Sequence, residues 1–472
     1  MHALLRFALL LLTSFTSVVL LGSLVVLNGC ATMPANTANL GASDASYPPI
    51  IFVHGNGDTA ALWHTTIWRF ESSGWPRERL HAIDVPFPSA RDDDAKPQTG
   101  RTSTTEHAQF LAAEVAWVRK LSGAEKVILI GNSRGGYAIR NYIQNMGGDA
   151  WVSHAILGGT PNHGVWANDA RPNNNGSEFF GNGPFLTQLN TPKNSAGDEV
   201  IGPVKWFTLR SDNNDKFAQP DGEWLGLKGS PTGVSYEGPA LRGASNSVLP
   251  FRDHRETSFH AEAFVAMWQF ITGTAPRSFQ IAAEKSITLN GKISALGIEG
   301  KGDFVTNVPL AGATVEVFAV DATGARIGAA VHQKTTGRDG QWGPFAADTK
   351  TPYEFVILAE GYATTHVYRS AFARSSDVIH MRPARIANAD KSAAAVLMLT
   401  RPRGYFGLGR DTMSFDGKPL AGVAAGVAGL STAKITLDAL TDHAIVAEFN
   451  GERIAARAWP IAANHVTFLE LH

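Results

Sequence analysis

Residues 127–137, VILIGNSRGGY, join an apolar run directly to a Gly-x-Ser-x-Gly motif. The run has the length and composition of a strand that is buried on both faces. After the motif, a glycine pair ends a pattern of apolar residues at helical spacing: Ala138, Ile139, Tyr142, Ile143 and Met146. The segment therefore predicts a strand, a tight turn and a helix, with Ser133 in the turn.

The spacing of the glycines predicts a strained turn. Gly131 and Gly135 stand two residues before and after Ser133, where a Cβ would collide with the neighbouring elements. The serine hydroxyl is then held out at the carboxyl end of the strand, as in a nucleophile elbow. The same five residues without a strand and a helix around them would be an ordinary glycine-rich loop, so the flanking pattern favours the elbow.

Length and composition limit the classes of protein. The chain has 472 residues, which predicts two or three domains. Its net charge is -1 and 18% of its residues are charged, so we expect no nucleic-acid partner and favour neutral or apolar substrates. Cys30 is the single cysteine, which excludes an intramolecular disulfide and a cysteine-based metal site. We expect neither a metal nor a cofactor.

The amino-terminal segment has the features of an export signal. Residues 7–27 are apolar apart from scattered Ser, Thr and Gly, and the run is about long enough to cross a bilayer. The four residues that end at Cys30, LNGC, resemble the lipobox of bacterial lipoproteins. The resemblance implies a signal peptide over 1–29, lipidation of Cys30 and a flexible tether over 30–47.

This resemblance places the protein outside the cytoplasm. It implies a lipoprotein anchored to a membrane of the cell envelope, with the outer membrane favoured. A plain signal peptide, which would give a secreted protein, and a retained apolar helix are the alternatives. No obligate protein partner is evident.

From Pro49 to Gly273, nearly half of its length, the chain resembles the α/β-hydrolase superfamily, and more closely the small bacterial lipases. The motifs that carry the resemblance are Val53-His54-Gly55, the pairing of Gly74-Trp75 with Leu80 and Asp84, the serine elbow, and Leu157-Gly158-Gly159. It implies an α/β-hydrolase domain over residues 48–276, with a mostly parallel sheet and helices on both faces.

The resemblance also implies an oxyanion hole. In this superfamily one backbone N–H comes from the residue just beyond the His-Gly pair, here Asn56, and the other from the residue after the serine, here Arg134. Fixed donors stabilise the oxyanion of a tetrahedral intermediate, and each is worth roughly 3 kcal/mol. His54 precedes the serine on the oxyanion side, and we interpret it as a structural histidine.

A triad in this superfamily follows the order serine, acid, histidine. Residues 204–209 predict a strand, and Asp212 and Asp215 lie just past its end. The acid usually sits a few residues into this loop, so Asp215 is the predicted acid and Asp212 the alternative. Asp169, after the preceding strand, is a third candidate.

The base of the triad is predicted in the loop before the last helix of the domain. His254 lies in this loop, and residues 259–272 predict the helix. His260 stands at the start of the helix, where a capping role is favoured, and it remains the alternative base.

A long insertion over residues 168–190 contains Asn and Gly clusters and several phenylalanines. These aromatic side chains could form a lid or wall over the site, or they could pack into the core, and the sequence leaves both open.

The chain after Pro276 is all-β. Short alternating runs bounded by Gly, Asp and Asn turns resemble a transthyretin-like or carboxypeptidase-regulatory-like sandwich over residues 277–385. A further β-rich unit is predicted over 386–472, with Ile435, Leu437, Ile445, Val446 and Phe449 as core. The layout is similar to that of two-domain lipases, which implies lipid or substrate binding by this tail; the alternative is a passive spacer.

These features predict a serine carboxylic-ester hydrolase of the lipase or esterase type, with Ser133, Asp215 and His254 as its triad. The substrate would be a lipid or another neutral ester. Alternatives are a polyester depolymerase, a serine amidase or peptidase on the same fold, and a non-catalytic binding lipoprotein.

Overall fold

The computed structural model describes residues 47–170, 176–298 and 301–472. The predicted signal peptide, the lipidation site Cys30 and nearly all of the predicted tether lie outside the described residues. Within those three ranges, no helix is both long and apolar enough to cross a bilayer.

Six strands form a central sheet in the amino-terminal half, in the order β2-β1-β3-β4-β5-β8, and every neighbouring pair is parallel. The strands of this half are β1 Ile50–Val53, β2 Leu80–Ile83, β3 Val127–Asn132, β4 Val152–Gly158, β5 Lys205–Arg210, β6 Asp221–Gly222, β7 Leu227–Pro231 and β8 Ser245–Val248. The strand order reverses between β1 and β3. In open sheets of this kind, ligands bind beyond the carboxyl ends of the strands at such a reversal.

Helices cover both faces of the central sheet. Their bounds are α1 His64–Ser72, α2 Thr104–Ser122, α3 Arg134–Asn145, α4 Pro184–Leu189, α5 Glu256–Phe259 and α6 Ala261–Thr272. Shorter 3-10 turns occur at Ala60–Trp63, Arg77–Arg79, Gly148–Ala150, Glu223–Leu225, Asn388–Asp390 and Ile461–Ala463.

The central strands are apolar along their whole length because both of their faces are covered. In β1, Ile50 and Phe52 pack into one core cluster with residues of α1 and α6, and Ile51 and Val53 pack into a second cluster with residues of α2 and α3. Burying one such side chain contributes about 1.5–3 kcal/mol. This arrangement confirms the predicted α/β-hydrolase fold.

The tail is all-β, as predicted. Its strands are β9 Ile287–Leu289, β10 Ser294–Ile298, β11 Lys301–Pro309, β12 Thr314–Ala319, β13 His332–Thr335, β14 Phe345–Ala347, β15 Tyr353–Leu358, β16 Thr364–Arg369, β17 Ala395–Thr400, β18 Met413–Phe415, β19 Thr432–Leu437, β20 Ile445–Phe449, β21 Glu452–Ala456 and β22 His465–Glu470.

One seven-stranded sheet organises the tail, in the order β13-β12-β15-β16-β22-β17-β19. Its middle is the parallel pair of β16 and β22, in which Thr364 lies opposite His465. The sheet therefore runs across the domain boundary predicted between residues 385 and 386. Smaller sheets pair β9 with β14, β10 with β11, and β18 with β20 and β21.

Three local predictions differ from the structure. Met146 was expected on the buried face of the elbow helix, but α3 ends at Asn145 and the Met146 side chain is exposed. The helix predicted over residues 259–272 is broken at His260, whose backbone is extended at φ -63° and ψ 156°. Three residues expected in the core of the last β unit are only partly buried: Ile435, Leu437 and Val446. Val446 alternates with the buried Ile445 and Ala447 along β20.

Buried histidines make the fold sensitive to acid. Desolvation of the partly buried His81 lowers its pKa from 6.5 to about 4, and burial holds the pKa of His107 well below its ordinary value. These histidines bind protons near pH 6.5 in the unfolded chain but not in the folded chain. Their contribution to the unfolding free energy is therefore fully present above pH 6.5 and is lost as the pH falls toward 4.

We therefore expect the midpoint temperature of thermal unfolding to decrease as the pH is lowered from 6.5 to 4. The midpoint temperature of the His81→Gln variant should decrease less over this interval than that of the parent. Thermal unfolding followed by circular dichroism measures both. His443→Gln is the control because the His443 side chain is 62% exposed. Equal pH dependence of His81→Gln and the parent would contradict the prediction.

Candidate active site

Ser133 occupies a strained turn between β3 and α3. Its backbone has φ 51° and ψ -121°, in a region that residues other than glycine rarely adopt. A Cβ on Gly135 would lie 2.4 Å from the carbonyl oxygen of Val53, and a Cβ on Gly131 would lie 2.7 Å from Ile139. Positions 131 and 135 therefore have no room for a side chain, and only glycine fits there.

The loop after β1 runs directly past Ser133. A Cβ on Gly55 would lie 3.1 Å from the Cβ of Ser133. The Asn56 side chain fixes this loop because its Oδ1 accepts a hydrogen bond from the Ala90 N–H at 2.7 Å. In the part of the chain that the structure describes, the backbone N–H groups of Asn56 and Arg134 donate to no protein group. Both are thus available to a ligand.

His254 and Asp215 form a buried pair. The His254 Nδ1 atom lies 2.9 Å from each carboxylate oxygen of Asp215, and the two residues are 3% and 6% exposed. The Nε2 atom of His254 is also buried and has no hydrogen-bond partner among the described residues. The ring of Phe217 meets the His254 ring edge-on, with 4.6 Å between centroids.

Short contacts join the His254 loop to the elbow. The Ser133 N–H donates to the Gly158 carbonyl oxygen at 2.9 Å, and a Cβ on Gly159 would lie 3.4 Å from His254 Nδ1. Asn132 bridges the two loops, because its Nδ2 lies 2.8 Å from Ser258 Oγ and 3.3 Å from the His254 carbonyl oxygen. The structure thereby brings the loops of Ser133, Asp215 and His254 to one end of the sheet.

The alternative acids have other partners. Asp212 accepts hydrogen bonds from the N–H groups of Asn214 and Phe251, at 3.0 and 2.9 Å, and so shapes the loop. Asp169 accepts from the Asn182 side chain at 2.9 Å in an exposed position.

The alternative histidines are also engaged elsewhere. His260 caps α6, accepting from the Glu262 N–H at 3.3 Å. His54 is fully buried; its Nδ1 donates to the Gly55 carbonyl oxygen and its Nε2 accepts from the Val85 N–H. Burial lowers the pKa of His54. With both nitrogens used, His54 holds the loop between β1 and the site.

The Arg134 side chain is a buried anchor. Its guanidinium binds Glu178 through two hydrogen bonds of 2.7 and 2.8 Å, and it also donates to Thr102 and to the Pro88 carbonyl oxygen. Both members of the pair are at most 1% exposed. Burial raises the pKa of Glu178, and the charge of Arg134 opposes that shift. This pair ties the insertion to the core of the domain.

The described part of the insertion packs onto α3. Phe179, Phe185 and Leu186 contact Tyr137, whose hydroxyl donates to the Pro161 carbonyl oxygen at 2.6 Å. Phe180 is buried as well. The aromatic side chains of residues 176–190 therefore contribute to a small core beside the site.

We expect the Arg134→Met variant to lose about 3–5 kcal/mol of unfolding free energy, because Glu178 would be left buried without its counter-charge. Adding Glu178→Met should restore most of this loss, since the double variant buries no charge. Urea unfolding of the parent, both single variants and the double variant measures the effect. If the double variant loses as much unfolding free energy as the two single variants together, the pair does not hold the insertion.

Some features of the site had no signal in the sequence. The Arg255 side chain, next to His254, binds Asp58 through two hydrogen bonds of 3.0 and 2.6 Å and so links the loop that carries His254 to the loop after β1. Asn132 has a similar linking role. These residues are far apart in the chain and follow no periodic pattern. Within the described ranges, no group of three or more His, Cys, Asp and Glu side chains could hold a metal ion.

Two family models match the chain. Residues 48–216 match the alpha/beta hydrolase fold, and residues 285–386 match the lipase C-terminal domain. No curated protein sequence matches significantly. The chain therefore carries an α/β-hydrolase fold followed by a lipase C-terminal domain.

Several solved structures are similar. Lipase B from Aspergillus fumigatus has 14% identity and a TM-score of 0.35, and the match covers 51% of this chain and 56% of that chain, less than two thirds of its length. Lipase BlEst2 from Bacillus licheniformis in its mature form has 20% identity and a TM-score of 0.32, over 48% of this chain and 92% of that chain. Its propeptide form has 15% identity and a TM-score of 0.34, and the match covers 87% of this chain and 96% of that chain.

Proposed function

We propose that the protein is a serine carboxylic-ester hydrolase that acts through Ser133, His254 and Asp215. One observation carries the proposal: His254 Nδ1 is bound to a buried carboxylate while its buried Nε2 has no partner among the described residues. A histidine held in this way has one nitrogen committed to orientation and the other free to accept a proton. The strained elbow presents Ser133 beside the same loops.

The reaction follows from this arrangement. Ser133 Oγ attacks the ester carbonyl carbon, and His254 Nε2 takes the hydroxyl proton while Asp215 stabilises the imidazolium. The oxyanion accepts hydrogen bonds from the backbone N–H groups of Asn56 and Arg134. When the carbon–oxygen bond breaks, His254 returns the proton to the leaving alcohol. Water then attacks the acyl-enzyme by the same route, which releases the acid and restores Ser133.

We infer that the substrates are neutral, apolar esters, including lipids. The low content of charged residues supports this class, and so does the aromatic ring of Phe217 against His254. An apolar acyl chain gains roughly 0.8 kcal/mol for each methylene that it buries.

Hydrolysis of p-nitrophenyl esters from acetate to palmitate, together with an emulsified triglyceride, tests this function. We expect ester turnover by the purified protein and far slower turnover of the matched p-nitroanilides. Faster cleavage of the anilides would instead indicate an amidase or peptidase. Absence of hydrolysis with every ester would refute the proposal.

We further propose that lipidation of Cys30 tethers the enzyme to a membrane of the cell envelope. The proposal rests on the LNGC sequence that ends at Cys30. Cys30→Ser should release the protein from the membrane fraction without changing its rate on soluble esters. Continued fractionation with membranes would favour a retained apolar helix over residues 7–27.

A further inference from the structure

The tail lies directly on the loop that carries Asp215. Asp215 forms an isolated parallel β-bridge with Ala428, whose N–H donates to the Asn214 carbonyl oxygen at 3.2 Å. Lys216 Nζ donates to the Gly429 carbonyl oxygen at 3.1 Å. Backbone of the tail is thus hydrogen-bonded to residues on both sides of Asp215.

The tail also holds the His254 loop, through buried charges. Asp253 and Glu256 flank His254, and Arg401 binds both of them, at 2.9 Å and 2.6 Å. Arg410 binds Glu256 at 2.8 Å. The four side chains are at most 10% exposed. The segment around His254 therefore carries two buried carboxylates, Asp253 and Glu256. The arginines that bind them, Arg401 and Arg410, both belong to the tail.

These arginines set the charge state of the loop. Burial alone would raise the pKa of Glu256, but the charges of Arg401 and Arg410 hold it at about 2. Burial and the neighbouring Glu256 raise the pKa of Asp253. Removing one arginine would leave uncompensated buried negative charge in the loop that carries His254, which destabilises the arrangement of that loop.

A third contact reaches the loop that contains Asn56. Asn307 of β11 is buried, and its Nδ2 donates to the carbonyl oxygens of Asp58 and Val85 at 2.8 and 3.0 Å. The Asn307 N–H donates to the Pro86 carbonyl oxygen at 2.8 Å. The tail thus contacts every loop to which the proposed function assigns a role, except the elbow itself.

We propose that the tail completes the active site, with Arg401 and Arg410 as positioning residues that keep His254 in its working geometry. The inference rests on the proposed function of His254. It differs from both roles predicted for the tail, since a substrate-holding module would affect long esters most and a spacer would not affect the chemistry. A misplacement of about 1 Å at the reacting groups is enough to cost on the order of 10²-fold in rate.

The test uses the full-length protein and the variants Arg401→Gln and Arg401→Lys, with Arg326→Gln as the matched control. Arg326 is a tail arginine that also binds a buried carboxylate, Glu354, through two hydrogen bonds. Circular dichroism first shows that each variant is folded. Steady-state kinetics with p-nitrophenyl acetate and with a long-chain ester then give kcat and KM.

We expect Arg401→Gln to lower kcat by on the order of 10²-fold for both esters, with KM little changed. Arg401→Lys should recover part of the rate, and Arg326→Gln should keep it. If Arg401→Gln does not fold, Arg410→Gln serves the same test because it leaves the Arg401 contacts in place.

An unchanged kcat in a folded Arg401→Gln or Arg410→Gln variant would overturn the inference. An equal loss in Arg326→Gln would also overturn it, since the effect would then be general to the tail. Failure of the proposed function looks different, because the parent protein itself would then hydrolyse no ester.

Discussion

Ser133→Ala is expected to lower ester hydrolysis by roughly 10⁵- to 10⁶-fold while the protein keeps its fold. The variant removes the atom to which the proposed mechanism assigns the acyl-enzyme bond, and alanine has nearly the volume of serine. The turn depends on Gly131 and Gly135, which the substitution leaves unchanged. Initial rates on p-nitrophenyl butyrate and a thermal unfolding curve measure the two properties together.

Ser122→Ala is the control for this substitution. Ser122 ends α2, where its hydroxyl donates to the Val118 carbonyl oxygen at 2.7 Å, and it has no role in the proposed reaction. The control should retain the parent rate. More than a few per cent of the parent rate in pure Ser133→Ala would contradict the assignment of the nucleophile.

The second large effect is expected for the base and the acid. His254→Ala should lower the rate nearly as much as Ser133→Ala, because members of a triad act as a unit. Asp215→Asn should lower kcat by about 10⁴-fold, since the amide cannot hold the histidine in the required tautomer. His260→Ala and Asp212→Asn are the matched variants. We expect His260→Ala to cost only a helix cap, about 1 kcal/mol of stability.

Rates of the four variants on one soluble ester provide the ranking. A larger loss in His260→Ala than in His254→Ala would mean that the base lies at the start of α6. A larger loss in Asp212→Asn than in Asp215→Asn would mean that Asp212 is the acid.

Local patterns were sufficient to predict the central elements of the fold. The strand over 127–132 is fully buried, and its apolar run reflects that burial. The capping box at Ser103 and Glu106 predicts the start of α2, and both of its hydrogen bonds are present. The glycines around Ser133 predict a turn that the structure contains. Each of these features depends on residues that are close in sequence.

The contact between Asp215 and His254 could not be derived from the spacing of Asp212 and Asp215. Both follow β5, and nothing in their spacing shows which carboxylate faces a histidine 39 residues away. The contact between Arg401 and Asp253 spans 148 residues, and neither partner lies in a recognisable motif. Long-range polar contacts of this kind are fixed by tertiary packing, so periodicity and turn chemistry do not encode them.

The sheet of the tail illustrates the same limit. Alternation of polar and apolar residues predicts strands one at a time, but it does not say that β22 inserts between β16 and β17. The parallel partners of β22 are β16 and β17, which lie on opposite sides of the domain boundary predicted between residues 385 and 386. The strand order of this sheet is therefore fixed by tertiary packing and not by local sequence patterns.

Covalent labelling with a fluorophosphonate tests the central claim most directly. The reagent phosphonylates an activated serine, and peptide mapping by mass spectrometry identifies the residue that carries the adduct. We predict one adduct per chain, on Ser133, with labelling greatly slowed in His254→Ala. A parent protein that stays unlabelled, or one that is labelled at another residue, would contradict the account.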